Sequence, residues 1–266
     1  MRRPIIVRHK IRSTLWSGPV LKVVVLSDLH VVAPWVSLPA LARVVERVQA
    51  LQPDLILLPG DFLADPKLFG RRAQPGEIVA LLSALSAPYG VHATLGNHDW
   101  ADCQIAQATG GARNSVAEAF EKCPITLYTN TARDLGPFWI AGLDSAVGAG
   151  SSERPKPRHD LSAALAAVPD GASTILMAHE PDIWLDKEPD VALTVSGHTH
   201  GGQIVLGNWR PLTPSRYGGR LAHGLQIDGD RHLVVSGGLG YSGIPLRIGV
   251  PPEITLIELA GSEGDG

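Results

Sequence analysis

Asp28, His30, Asp61, Asn97, His98, His179, His198 and His200 are carboxylate, amide and imidazole side chains placed where apolar runs end: VVVLSDLH, LILLPGD, VHATLGNHD, TILMAHE and LTVSGHTH. Five of the ten histidines fall at these ends, a concentration that packing alone does not account for. Oxygen and imidazole donors without a thiolate suit a divalent cation such as Mn, Fe or Zn rather than a structural zinc site. The set is too large for one cation, so it implies two that share a bridging carboxylate. Two such ions about 3.5–4 Å apart clamp the attacking and leaving oxygens of an in-line displacement at phosphorus. The pattern is densest at Ser196-Gly197-His198-Thr199-His200-Gly201-Gly202. Glycine there allows positive φ and close backbone approach, and Thr199 spaces two imidazoles.

The elements that must carry these residues are short. Residues 21–26, 54–58 and 91–95 are apolar and rich in branched side chains, as buried strands are. Between them, residues 38–51 place Leu41, Val44, Val45, Val48 and Leu51 at helical spacing before Pro53, and residues 76–85 repeat the pattern. Strand, helix, strand, helix, strand predicts parallel βαβ units. In open α/β sheets ligands bind beyond the carboxyl ends of the strands, which would bring the eight residues to one rim. Farther on, a helix is expected within 114–122, strands at 125–128, 138–141 and 173–178, and a short helix at 161–167. A helical turn follows at 182–186, with strands at 191–195, 232–236 and 254–259. Residues 145–159 and 207–224 read as long Gly/Pro-rich loops. Residues 1–260 read as one domain and 261–266 as a disordered tail.

Composition narrows the partners. The chain has 266 residues, 44% hydrophobic and 18% charged, with a formal net charge of −3. That balance gives no electrostatic case for nucleic acid, and 5% aromatics is a poor stock for stacking single strands. Cys103 and Cys123 match no metal spacing and read as free thiols in a reducing compartment. No apolar run approaches the ~20 residues that cross a bilayer, and residues 1–20 lack the apolar core of a secretory signal. The chain is therefore expected in the cytoplasm. The same stretch interleaves Arg2, Arg3, Arg8, Lys10 and Arg12 with Ile5, Ile6, Val7, Ile11, Leu15 and Trp16 and has no acid. It reads first as a charged edge strand and second as a peripheral membrane contact.

The blocks Asp28-x-His30, Gly60-Asp61, Gly96-Asn97-His98-Asp99, His179 and Gly197-His198-Thr199-His200 resemble, in order and complete, those of the calcineurin-like metallophosphoesterase superfamily. Gly201-Gly202-Gln203, Ser236-Gly237-Gly238-Leu239-Gly240 and Pro251-Pro252-Glu253-Ile254-Thr255 are similar to its small bacterial YkuE/YaeI-like phosphohydrolase branch. The resemblance implies a four-layer α/β/β/α sandwich of two mixed β-sheets flanked by helices. It implies one metal on Asp28, His30, Asp61 and His200, and a second on Asp61, Asn97, His179 and His198, with Asp61 bridging. His98 would then protonate or stabilise the leaving oxygen, with Asp99 orienting its ring, while a metal-bridging hydroxide attacks phosphorus. The tyrosine ligand of purple acid phosphatases is replaced here by Ala64, which excludes the tyrosinate–iron variant.

The implied activity is a phosphodiesterase or phosphomonoesterase, with a lipid-linked ester such as a UDP-diacylglucosamine as one candidate substrate. A nuclease of the same superfamily and a metal-holding scaffold without turnover are the alternatives. Arg71, Arg72, Arg113, Arg154, Lys156, Arg158, Arg210, Arg216 and Arg220 all read as loop residues, any of which could grip phosphate. His223 and Tyr217 are further loop candidates, while His9, His92, His159 and His232 read as structural or surface residues.

Overall fold

The computed structural model describes residues 2–64, 70–146, 157–187, 189–207 and 209–262. In chain order the strands are β1 (Ile5–Ser13), β2 (Leu21–Val25), β3 (Val32–Ala33), β4 (Leu55–Pro59), β5 (Arg71–Arg72), β6 (Val91–Thr94) and β7 (Thr126–Tyr128). They continue with β8 (Thr131–Asp134), β9 (Trp139–Gly142), β10 (Thr174–Met177), β11 (Leu193–Ser196), β12 (Gly224–Asp228), β13 (Arg231–Val235) and β14 (Glu253–Gly261). The helices are α1 (Leu38–Gln49), α2 (Pro75–Leu82), α3 (Asn97–Ala101), α4 (Gln104–Ala108), α5 (Ser115–Phe120), α6 (Leu161–Leu165) and α7 (Ile183–Asp186).

Two six-stranded sheets stand face to face, ordered β1-β14-β2-β4-β6-β7 and β12-β13-β11-β10-β9-β8. Both are mixed. β2, β4, β6 and β7 run parallel, whereas β14 pairs antiparallel with β2. In the second sheet β9, β10, β11 and β13 are parallel, with β8 and β12 antiparallel at its edges.

Alternation along the strands builds the layers, because successive strand side chains point to opposite faces. On β2, Val24 joins the core under α1, α2 and α5, while Val23 and Val25 enter the core between the sheets. Ile56 and Leu58 of β4 face the same helices, and Leu55 and Leu57 face the other sheet. On β10, Ile175 and Met177 face inward, and Leu176 packs outward with Ala164 and Ile183 of α6 and α7. The result is the four-layer α/β/β/α sandwich implied by the motif blocks.

The N-terminal stretch forms the edge strand β1, parallel to β14. Several local readings need correction, those at Gly261 and at Arg71–Arg72 because pairing across long sequence separations overrode local composition. β14 continues through Gly261, which pairs with Ser13; residues 263–266 lie outside the described set. Arg71 and Arg72, read as loop residues, form β5 against Val32 and Ala33. Arg220 sits in a 3-10 turn at Gly218–Leu221. β8 and β12 carried no apolar alternation strong enough to read. Among the described residues no helix is long and apolar enough to cross a membrane.

Candidate metal centre

Five parallel strands deliver the chemistry. β2 ends before Asp28 and His30, β4 before Gly60-Asp61, and β6 before Asn97 and His98 at the start of α3. β10 ends before His179, and β11 before Gly197-His198-Thr199-His200. Backbone strain concentrates here. Of eight non-glycine residues with positive φ among those described, five are Asp28 (φ 51), His30 (43), Asp61 (58), His198 (70) and His200 (52). Such conformations cost free energy and persist where surrounding structure fixes them. Positive φ in the β11 turn falls on Gly201 (63) and Gly202 (81), as glycine allows, and on the two histidines as well, but not on Gly197. Gly197 is instead required for close approach: a Cβ there would strike the Asp28 carboxylate and lie 2.8 Å from Ser27 Cβ. A Cβ on Gly96 would strike Asp61 Oδ1 and lie 2.8 Å from His179 Cε1.

The side chains form two adjoining sets. In one, His30 Nε2 is 3.1 Å from His200 Nε2, which is 3.6 Å from Asp28 Oδ1. In the other, Asn97 Oδ1 is 2.8 Å from His198 Nδ1 and 3.2 Å from His179 Nε2. Asp61 Oδ2 reaches both, 3.4 Å from His30 Nε2 and 3.1 Å from His179 Nε2. The two histidines of the β11 turn thus point to different sets. Arg247, buried at 6% exposure, braces the back of His200, with Nη2 3.1 Å from its Nδ1 and Nη1 3.3 Å from its carbonyl oxygen. It lies 47 residues from His200, and nothing in its local sequence marks it.

Residues of this arrangement fit divalent cations. Asp28-His30-His200 and Asp61-His179-His198 each bring three ligand atoms within 4.8 Å of one another. Asp28 Oδ2 is buried without a hydrogen-bond partner, an acceptor left open among ligand-type side chains. His30 Nδ1–H donates to Leu63 O at 2.8 Å and His179 Nδ1–H to Pro59 O at 2.6 Å. Each carbonyl fixes the tautomer that turns the Nε2 lone pair toward the cluster. Burial depresses His30 to about 3 and also lowers His198 and His200, holding these rings neutral. Burial opposes charge on Asp61, yet His179, His98 and His30 around it keep its carboxyl well below the usual range.

His98 lies beside the cluster, its ring 4.9 Å from that of His30, edge to face. Its orienting partner is Asp102, not Asp99: Asp102 Oδ2 accepts from His98 Nδ1 at 2.6 Å. Residues four apart share a helix face, so Asp102, after α3, lies over His98, and this spacing was readable in the sequence. Asp99 turns back instead. Its fully buried carboxylate accepts the backbone N–H groups of Asp61 (2.8 Å), Phe62 (2.9 Å), Leu63 (3.0 Å) and Gly96 (2.9 Å). Burial works against charge on His98, but the Asp61 and Asp102 carboxylates outweigh it and push the imidazole up to about 9.

Most basic candidates are engaged elsewhere. Arg113 pairs with Glu118, Arg158 with Asp144, and Arg216 with Asp182 and Asp186. Arg210 donates to Gly201 O, and Tyr217 Oη to Asp186. Arg72 donates to the carbonyls of Ala64 and Asp102. Arg154 and Lys156 lie outside the described residues. His92 is held between Tyr89 O and Tyr128 Oη.

His223 Nε2 is 2.7 Å from the buried Glu253 carboxylate. Burial resists that charge, but His223 and Thr255 hold Glu253 below its usual pKa. Its stabilisation is present above the unfolded pKa, about 4, and is lost as pH falls through the folded value. The melting temperature of wild type should therefore exceed that of Glu253→Gln near neutrality, with the gap closing below about pH 4. A gap that stays constant down to pH 3 would refute this.

The sequence profile of the calcineurin-like phosphoesterase family matches residues 21–202. The YkuE protein of Bacillus subtilis, an uncharacterized metallophosphoesterase, is 32% identical over 94% of this chain and 84% of its own length. The phosphodiesterase YaeI of Escherichia coli is 28% identical over 96% of this chain and 87% of its own. The structure of the NAD nucleotidase of Haemophilus influenzae superposes with a TM-score of 0.52 at 14% identity, covering 84% of this chain and 51% of that one. Some relatives are longer: the chain spans 48% and 53% of a nematode and a bovine protein that it matches.

Proposed function

The chain belongs to the calcineurin-like phosphoesterase family, and from that premise we propose that its strand-end cluster holds two divalent cations and hydrolyses a phosphodiester or phosphomonoester, a lipid-linked ester being one candidate substrate. It is a metal-dependent phosphoester hydrolase. The finer reading rests on one observation: Asp61 Oδ2 lies between two ligand sets, 3.4 Å from His30 and 3.1 Å from His179. Asp28, His30 and His200 would hold one cation, and Asn97, His179 and His198 the other, with Asp61 shared. When bound, such a pair supplies Lewis acidity toward phosphoryl oxygens and activates water near neutral pH. The name of the E. coli relative, a phosphodiesterase, favours a diester. Peripheral membrane contact through the basic N-terminus is part of the same reading.

The chain's own residues do the rest. Asp102 takes the Nδ1–H of His98 and so aims Nε2–H away from α3, toward the cluster. That proton goes to the leaving oxygen, and the neighbouring carboxylates keep His98 charged until then. Carbonyls of Leu63 and Pro59 lock His30 and His179 in the ligating tautomer.

The test is hydrolysis of bis-p-nitrophenyl phosphate by Mn-loaded protein, with metal content measured alongside. A rate no higher than buffer would leave only the scaffold reading. His98→Ala should keep its metal and lose turnover by about a hundredfold. Asp102→Asn should lose about tenfold, with an altered basic limb in the pH profile. A full metal complement with unchanged turnover in His98→Ala would remove His98 from the mechanism.

A further inference from the structure

Ten large apolar side chains stand exposed among the described residues, and seven belong to two loops: Leu206, Trp209, Leu212 and Tyr217 on the first, Ile244, Leu246 and Ile248 on the second. The loops, residues 204–222 and 241–249, lie side by side. Ile204 bridges Ile248, Val205 N donates to Ile248 O at 2.9 Å, and the Gln203 amide donates to the carbonyls of Ser242 and Ile244. Exposed apolar residues are normally scattered singly, and a group of this size marks a contact surface.

Chemistry selects the occupant. Neither loop contains an Asp or Glu, whereas together they carry Arg210, Arg216, Arg220 and Arg247. Arg216 is exposed but paired with Asp182 and Asp186, Arg210 and Arg247 donate to the carbonyls of Gly201 and His200, and Arg220 is exposed with no acidic partner seen among the described residues. The N-terminus lies at the same end of the sandwich, because Ile5 pairs with Glu253 and its N–H donates to Pro252 O. There Arg2 and Arg3 line a depression of about 540 Å³ with Arg43 and Arg47, four arginines against the single acid Glu46. Protruding Trp, Leu and Ile on acid-free loops, beside arginines, match an interface that is apolar inside and anionic outside. A cavity of about 460 Å³ runs between the loops, from Thr199 and His200 inside to Pro211, Leu212 and Ile244 at its mouth.

We infer that these two loops dock the protein on the surface of an anionic phospholipid bilayer, so that the cavity opens toward the acyl chains and leads inward to His200. The choice of an amphiphilic phosphate ester as substrate rests on the phosphoesterase reading; the docking does not.

The test is flotation of the whole chain with vesicles of phosphatidylglycerol and phosphatidylcholine. Wild type should float with them, and binding should weaken as salt rises. The exposed double variant Trp209→Ser/Leu246→Ser should bind at least tenfold more weakly, with unchanged rates on soluble bis-p-nitrophenyl phosphate. Arg220→Glu should weaken binding to anionic vesicles by at least about fivefold and leave neutral ones unaffected. Wild type that does not float, or a double variant that floats equally well, overturns the proposal. So does a concentration-dependent dimer abolished by the same variants, since a second copy would then be the occupant. Flotation without hydrolysis would overturn the phosphoesterase reading and keep the docking; hydrolysis without flotation would do the reverse.

Discussion

Asp61→Ala is expected to lose both cations and to lower hydrolysis by at least about a thousandfold, more than removal of any one oxyanion donor. The reason is position. Among the described carboxylates only Asp61 enters ligand groups with both His30 and His179. Asp28 belongs to one set alone, so Asp28→Ala should mainly weaken one cation. Alanine also has two side effects. Asp61 sits at φ 58, where Asn and Asp are tolerated better than Ala, and its Oδ1 accepts the His98 N–H at 2.8 Å. Asp61→Asn keeps that hydrogen bond and the backbone preference while removing the charge. Both variants should fall well below wild type in bound metal by mass spectrometry and in calorimetric Mn titration. An Asn variant that retains a full complement would refute the shared-carboxylate assignment.

Asp99→Ala is expected to cost stability before it costs chemistry. It would strand four buried N–H groups, of Asp61, Phe62, Leu63 and Gly96. At about 1–3 kcal/mol for each unsatisfied donor, and with partial relaxation, the loss should be on the order of 4–6 kcal/mol. That is a large share of the 5–15 kcal/mol that holds a typical domain together. It should lower the melting temperature by roughly 10–20 °C. Asp99→Asn should fall between, since its amide keeps one acceptor oxygen but turns a donor toward other donors. Were Asp99 the residue that orients His98, its removal would lower turnover and leave melting unchanged. Thermal unfolding of metal-free protein therefore separates the two roles, and Asp102→Asn, just after α3 with its carboxylate on His98 Nδ1, supplies the contrast.

The ligand types and the strands that carry them were determined by local sequence. β2, β4, β6, β10 and β11 are apolar runs that need no distant information to be strands, and Asp, Asn or His at their ends is a fact of composition. Parallel βαβ order then placed those ends on one rim. Tertiary structure alone decided the rest, because side-chain direction depends on helix phase and on pairing between distant segments. The phase of α3 turned Asp99 to the backbone and gave His98 to Asp102. Packing against Asp28 and Asp61 put the demand for small residues on Gly197 and Gly96, while the left-handed backbone fell to His198 and His200. Arg247 reached His200 across 47 residues. The strand β1 had its charged-edge pattern in sequence, but β8 and β12 owe their strand state to β9 and β13. Residues 207–224 read as a long Gly/Pro-rich loop, and nothing in residues 241–249 marked them as its neighbour. Only the fold pairs them at Ile204 and Ile248 and gathers apolar side chains of both beside His200.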